Sequence, residues 1–215
     1  MIKAIDKTIV EKISSGQVII DLSSAIKELA ENCLDAGSTS VEISLFEDGL
    51  EGFEVTDNGI GMGESELMMI GEAHATSKLT KFEDIEDGLL SSLGFRGEAL
   101  YSLKNLSRRV TVISRTSQMS HGLQKVLIDK PPSNLQPCAS NKGTRIRVEG
   151  LFSEYAVRLS EWRRDSKKVL SKVLKIVQSL AISFPLVKFK LTNNSSTLKQ
   201  PQTLLNTSGP GSYVE

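Results

Sequence analysis

Glu28, Glu31, Asn32 and Asp35 recur at i, i+3, i+4 and i+7. At helical period this spacing sets four oxygen-bearing side chains on one ridge. Such a ridge can hold a hard cation through oxygen ligands and orient a water for attack. Taken alone, it reads first as the solvated face of an amphipathic helix. Two glycine-rich stretches widen the choice. Asp57-Asn58-Gly59-Ile60-Gly61-Met62-Gly63 alternates glycine with other residues, which lets backbone come close to a ligand. Leu93-Gly94-Phe95-Arg96-Gly97-Glu98-Ala99-Leu100 places glycines ahead of an apolar helical pattern, a natural seat for an anion on free backbone N–H groups.

The elements that must position these residues follow from periodicity. Ile26, Leu29, Ala30 and Cys33 form the apolar face of the ridge helix, over Ser24–Asp35, and Gly37 suits its C-terminal stop. Asp6 to Ser15 predicts a shorter helix ended by Gly16. The period then falls to two. Val41, Ile43 and Leu45, then Phe53 and Val55, predict two strands joined too tightly for a crossover helix, hence antiparallel. Ser65–Ile70 predicts a short helix. Gly71 to Leu93 has no clear period and reads as a functional lid. Strands are expected at Val110–Ile113, Leu123–Leu127 and around Ile146 and Val148, with a long turn marked by Pro131, Pro132 and Pro137. Ser160–Ser183 predicts the longest helix. Its apolar stripe is Val169, Val173, Ile176, Val177 and Leu180; its basic stripe is Arg164, Lys168, Lys172 and Lys175. The basic stripe reads either as a wet helix face or as a DNA surface. Val187, Phe189 and Leu191 predict a last strand, and Asn193–Ser212 a linker.

Bulk composition limits the function classes. The 215 residues carry 26 basic and 26 acidic side chains, so no global field draws in nucleic acid. Hydrophobic content of 39% supports a real core. Cys33 and Cys138 form no metal pattern, and His74 and His121 stand alone. A reducing compartment is expected. No apolar run reaches the ~20 residues of a membrane span, and the N-terminus lacks a signal-peptide core.

A P-loop is excluded because no G-x-x-x-x-G-K-[ST] occurs. The Gly59-x-Gly61-x-Gly63 run approaches a dinucleotide fingerprint, with Glu83 downstream. Its third glycine is one position early, and the preceding hairpin conflicts with a parallel βαβ unit.

Four ordered segments carry a resemblance instead. They are Glu28-x-x-x-Asn32-x-x-Asp35-Ala36-Gly37, Asp57-Asn58-Gly59-x-Gly61-Met62, Gly94-Phe95-Arg96-Gly97-Glu98-Ala99-Leu100 and Lys142-Gly143-Thr144. Together they resemble the motifs of the Bergerat-fold (GHKL) ATPases, which include gyrase B, HSP90-like chaperones, sensor histidine kinases and MutL. The run from Lys27 to Gly37, Ala75-Thr76-Ser77-Lys78 and the FRGEAL run at 95–100 are similar to MutL-type mismatch repair proteins. Ser15-Gly16-Gln17-Val18 resembles the eukaryotic post-meiotic-segregation branch.

The resemblance implies an α/β sandwich: a mixed, largely antiparallel sheet with helices on one face, and ATP between helices and lid. It implies an ATPase domain over 1–200, with 201–215 a linker or the start of a second domain. Glu28 would be the general base and Asn32 the Mg²⁺ ligand. Asp57 would accept from the adenine amino group, with Gly61 against the base and Thr144 in support. Thr76, Ser77 and Lys78 would reach the phosphates from the lid. Leu93, Gly94, Phe95, Arg96, Gly97, Glu98, Ala99 and Leu100 would wrap them. Arg96 reads first as the partner of a structural carboxylate rather than of phosphate, and Glu31 and Asp35 read equally as supports or as ligands.

The implied partners are a MutL paralogue in a heterodimer, MutS-type mismatch recognition proteins, and DNA held weakly by the assembled dimer. The implied setting is the nucleus, and no membrane is involved. The implied activity is weak, because family members draw a phosphate-binding lysine from a following domain. Two alternatives stay open: a nucleotide-sensing interaction module without its own catalysis, or another GHKL ATPase. Ala156 departs from the family's LFxxxPxR pattern, which otherwise survives at the ends of Leu151–Arg158.

Overall fold

The structure is a computed structural model that describes residues 6–72, 98–127, 134–196 and 200–209. The first helix, α1, covers Lys7–Val18, and the ridge helix, α2, covers Leu22–Asp35. The hairpin follows as β1 (Ser40–Phe46) and β2 (Gly52–Asp57), then the short α3 (Glu64–Met69). Beyond the undescribed stretch come α4 (Ala99–Leu106), β3 (Ser107–Arg115), β4 (Gly122–Leu127), β5 (Gln136–Cys138) and β6 (Gly143–Leu151). The last elements are α5 (Ala156–Arg164), α6 (Ser166–Ser183), β7 (Lys188–Asn194) and β8 (Gln202–Asn206).

Among the described residues eight strands form one sheet, in the order β5-β4-β3-β6-β2-β1-β7-β8. Every neighbouring pair is antiparallel except β1 with β7. This is the expected mixed, largely antiparallel sheet. Strand alternation divides its faces. Val41, Ile43 and Leu45 of β1, Phe53 and Val55 of β2, Val110 and Val112 of β3, and Ile146 and Val148 of β6 are buried. They pack against Ile26 and Leu29 of α2, Leu103 and Leu106 of α4, and Val173 and Val177 of α6. The opposite face is polar. There Glu54 lies 3.7 Å from Arg145 and 4.0 Å from Arg147, and Glu149 lies 3.4 Å from Arg147.

Helix α2 starts where it does because of a reciprocal cap. Asp21 accepts from the Ser24 amide at 2.9 Å, while Ser24 Oγ accepts from the Asp21 amide at 3.0 Å. Burial opposes the ionised form of Asp21, yet hydrogen bonds from Ser23, Ser24 and Lys172 together hold its pKa below the usual value. Asp21→Ala should therefore destabilise the fold by about 0.5–2 kcal/mol at neutral pH. A lowered pKa means that this contribution is present above the ordinary 3.8 and is lost as pH falls through the folded-state value. Urea unfolding of the two proteins should show the gap closing in acid.

Several expectations need correction. Helix α1 runs through Gly16 to Val18, since one glycine weakens a packed helix without ending it. The long C-terminal helix is two helices, α5 and α6, separated at Asp165. Of its expected stripe only Val173 and Val177 are fully buried; Val169, Ile176 and Leu180 are partly so. Pro137 lies within β5, at the sheet edge where a missing N–H is tolerated; Pro131 and Pro132 lie outside the described residues. The stretch read as a linker from Asn193 instead completes β7 and supplies β8, which pairs antiparallel with β7. Ala156 opens α5, a first-turn position that suits proline and alanine alike.

Candidate functional site

Three neighbouring strands end together in polar residues on the core side of the sheet. The inward series Phe53, Val55 of β2 continues to Asp57. The inward series Val148, Ile146 of β6 continues to Thr144, and Val110, Val112 of β3 to Ser114. Register joins them: Ser114 lies opposite Thr144, and Thr56 opposite Arg145. All three are buried; Asp57 and Thr144 are each 9% exposed and Ser114 is 0% exposed. A carboxylate on a core face is the least expected residue there and calls for compensation.

Asp57 receives part of that compensation from the backbone. Its Oδ1 accepts from the Gly59 amide at 2.7 Å and from the Thr144 amide at 3.3 Å. Burial nonetheless dominates and raises its pKa, against the opposing hydrogen bonds from Gly59, the Cys33 thiol and Thr144. A buried acceptor of this kind can fix the position of a ligand N–H donor.

The residues after Asp57 are tied to both sides of the site. Ile60 donates its amide to the Ala36 carbonyl at 3.0 Å. Asn58 Oδ1 accepts from the amides of Thr39 and Ser40, and its Nδ2 donates to Thr39 Oγ1. These bonds hold the segment after β2 against the C-terminus of α2 and the start of β1. Gly61, at φ +75°, has β3 where a Cβ would point: Arg115 O would lie 2.2 Å away. Gly143 is squeezed more tightly, with the Asp57 carbonyl 2.0 Å from a Cβ built on it.

On α2 itself, Glu28 and Asn32 are half-buried on the ridge away from the core stripe. Glu31 is paired with Lys27 at 2.7 Å, which fits its reading as a support. Asp35 is half-buried in the last turn. Glu98 is the N-cap of α4, its carbonyl accepting from the Ser102 amide at 2.8 Å, and Ala99 and Leu100 begin that helix. Asn105 Nδ2 donates to Ser15 Oγ at 3.0 Å, docking α4 on α1. Thr76, Ser77 and Lys78, with Leu93, Gly94, Phe95, Arg96 and Gly97, lie outside the described residues. His74 and Glu83 do as well; His121 is exposed and paired with Ser120. Arg164, Lys168 and Lys175 are exposed, and Lys172 meets Asp21 at 3.2 Å.

Ser114 is absent from the sequence-based site. Its signal was available: an inward alternation, Val110 and Val112, that continues into a serine. Its importance depends on β3 lying beside β6, which no local pattern reveals.

The model of the histidine kinase-, DNA gyrase B- and HSP90-like ATPases matches residues 20–134, more than half of the chain. The chain belongs to that family. Within it, the chain is similar to MutL-type DNA mismatch repair proteins. It is 40% identical over 211 residues to the mismatch repair endonuclease pms1 of Dictyostelium discoideum, covering 97% of this chain and 20% of that protein. It is 39% identical to the DNA mismatch repair protein PMS1 of Arabidopsis thaliana, covering all of this chain and 23% of the relative. The MutL of Macrococcus caseolyticus is 40% identical over 92% of this chain and 30% of its own length. The chain thus spans between a fifth and a third of these relatives.

Among solved structures, the N-terminal domain of a DNA repair protein superposes with a TM-score of 0.81 at 33% identity, covering 97% of this chain and 59% of that one. An Aquifex aeolicus MutL ATPase domain complexed with ADP gives 0.65 at 24% identity, covering 90% of this chain and 66% of that one. The latter bears on the fold alone.

Proposed function

We propose that this chain binds ATP, hydrolyses it slowly with Mg²⁺, and forms the ATPase region of a MutL-type mismatch repair protein. The observation that carries the reading is Asp57, a buried carboxylate at the strand ends, hydrogen-bonded into register with the helix that bears Glu28 and Asn32. Asp57 would take a hydrogen bond from the adenine amino group, and Thr144 would sit beside it. Gly61 holds the turn that closes this end of the site. Glu28 would orient and deprotonate the attacking water. Glu98, Ala99 and Leu100, at the start of α4, with the preceding FRG residues, would receive the phosphates. Thr76, Ser77 and Lys78 would meet them from the lid.

The donor set fits a metal that arrives with the nucleotide. Among the described residues no group of three or more His, Cys, Asp or Glu could hold a metal ion. Asn32 would supply one oxygen, and Mg²⁺ commonly takes few protein ligands beside phosphate and water. Bound there, the ion would neutralise charge on the phosphates.

On this reading ATP closes the lid and brings two N-terminal domains together, a paralogue being the partner in a heterodimer. Mismatch recognition proteins of the MutS type, DNA contacted by the dimer, and a nuclear setting complete the proposal. The support is the similarity to PMS1 proteins of two eukaryotes. No described helix is long and apolar enough to cross a membrane.

Calorimetric titration with the magnesium salts of ATP and GTP tests the reading. Binding of ATP, with GTP much weaker, is the expected result. No ATP binding by the folded protein, or equal affinity for both, contradicts it.

A further inference from the structure

We infer that Ser114 is a positioning residue for base selection: it takes the hydroxyl proton of Thr144 and so leaves the Thr144 oxygen able only to accept. The inference rests on the proposed role of Asp57 and Thr144 at the base.

Protons and lone pairs at Ser114 set the direction of each bond. A serine hydroxyl has one proton and two acceptor sites. Ser114 Oγ has three partners. The Met62 amide points into it at 2.8 Å and can only donate. The Gly143 carbonyl lies 3.1 Å away and can only accept, so the one assignment that makes all three contacts hydrogen bonds gives it the Ser114 proton. The third partner, Thr144 Oγ1 at 2.9 Å, must then be the donor. Ser114 is completely buried, so water does not compete for these sites.

The consequence falls on the ligand side. Thr144 Oγ1 has spent its proton on Ser114 and keeps lone pairs. Asp57, when ionised, is also acceptor-only. Its partners on the protein are donors: the N–H groups of Gly59 and Thr144 and the Cys33 thiol. The pair thus presents acceptors alone. An exocyclic amino group, with two N–H donors, satisfies such a pair. A ring carbonyl at the same place meets only lone pairs and is left buried without a donor, the arrangement that discriminates most strongly between ligands. The same serine holds Met62, next to Gly61, so one side chain sets both the polarity of Thr144 and the turn beside it.

The test compares ATP with inosine triphosphate, which carries a carbonyl where adenine carries the amino group. In Ser114→Ala the Thr144 proton is released and can turn toward a carbonyl. The ATP-to-inosine-triphosphate affinity ratio should shrink about tenfold, one hydrogen bond's worth. Ser114→Cys, with a weak S–H in the same place, should give an intermediate ratio. A folded Ser114→Ala in which both affinities fall in parallel, leaving the ratio unchanged, overturns the inference and makes Ser114 purely structural. Should Ser114→Ala fail to fold, an unchanged ratio in folded Ser114→Cys overturns it equally. Asp57→Asn, measured beside them, separates the two levels. If it alters base preference while Ser114 variants do not, only the serine's role fails. If it does not alter base preference, the reading of the base site fails with it.

Discussion

Glu28→Ala should lower single-turnover ATP hydrolysis by about 10²–10⁴-fold, the usual contribution of a positioned general base, while ATP binding is retained. Glu28 stands on the ridge of α2, opposite the stripe of Ile26, Leu29 and Cys33 that anchors the helix. Removing its carboxylate opens no core cavity, and alanine is the best helix former. Fold and nucleotide affinity should therefore survive a change that removes chemistry. Asn32 lies one helical turn on, so the two side chains share a rigid spacing. Rapid-mixing hydrolysis assays with nucleotide in excess of its dissociation constant would check this. Persistence of wild-type turnover would show that another group activates the water.

Asp57→Asn should have the opposite signature: weaker ATP binding in a protein no less stable. A hydrogen bond to a charged group contributes about 1.5–3 kcal/mol, so affinity should fall roughly 10- to 150-fold. The stability effect follows from the raised pKa of Asp57. Burial favours the protonated acid in the folded state, against the Gly59, Cys33 and Thr144 hydrogen bonds. The folded protein therefore holds its proton to higher pH than the unfolded chain, whose value is near the ordinary 3.8. Between those two values, rising pH ionises the unfolded chain first and erodes stability; above both, the loss is complete. Asparagine carries no such penalty and keeps an oxygen for the Gly59 amide. The mutant should match or exceed wild-type melting temperature at neutral pH, with the difference narrowing in acid. A carboxylate that opposes folding from a core position fits the binding role proposed for it.

Much of this was legible in the chain. The ridge helix, the β1–β2 hairpin and the inward strands at Val110–Ile113 and around Ile146 came from periodicity, because each buries one face against the core. The family resemblance singles out Asp57, and in the fold the alternation of Phe53 and Val55 carries its side chain to the core face. Three things were not legible. The break at Asp165 carries only a weak signal, an N-cap residue type whose side chain makes no capping hydrogen bond, ahead of a stripe that begins at Val169. Strand β8 is polar and sits at a sheet edge, where Gln202, Thr203 and Asn206 face solvent and its pairing with β7 is a nonlocal event. Ser114 owes its part to β3 and β6 lying side by side, a neighbourhood set by topology alone. The glycines show the converse. Gly143 reads in sequence as part of a nucleotide motif, but in the fold its hydrogen side chain is required by the Asp57 carbonyl.

A crystal structure of the protein with a non-hydrolysable ATP analogue and magnesium tests the account most directly. It should show the adenine amino group on Asp57 and the triphosphate extending along α2, with Asn32 toward the ion and Glu28 toward the terminal phosphate. A nucleotide bound elsewhere, with Glu28 and Asn32 facing bulk water and Asp57 untouched, would contradict it.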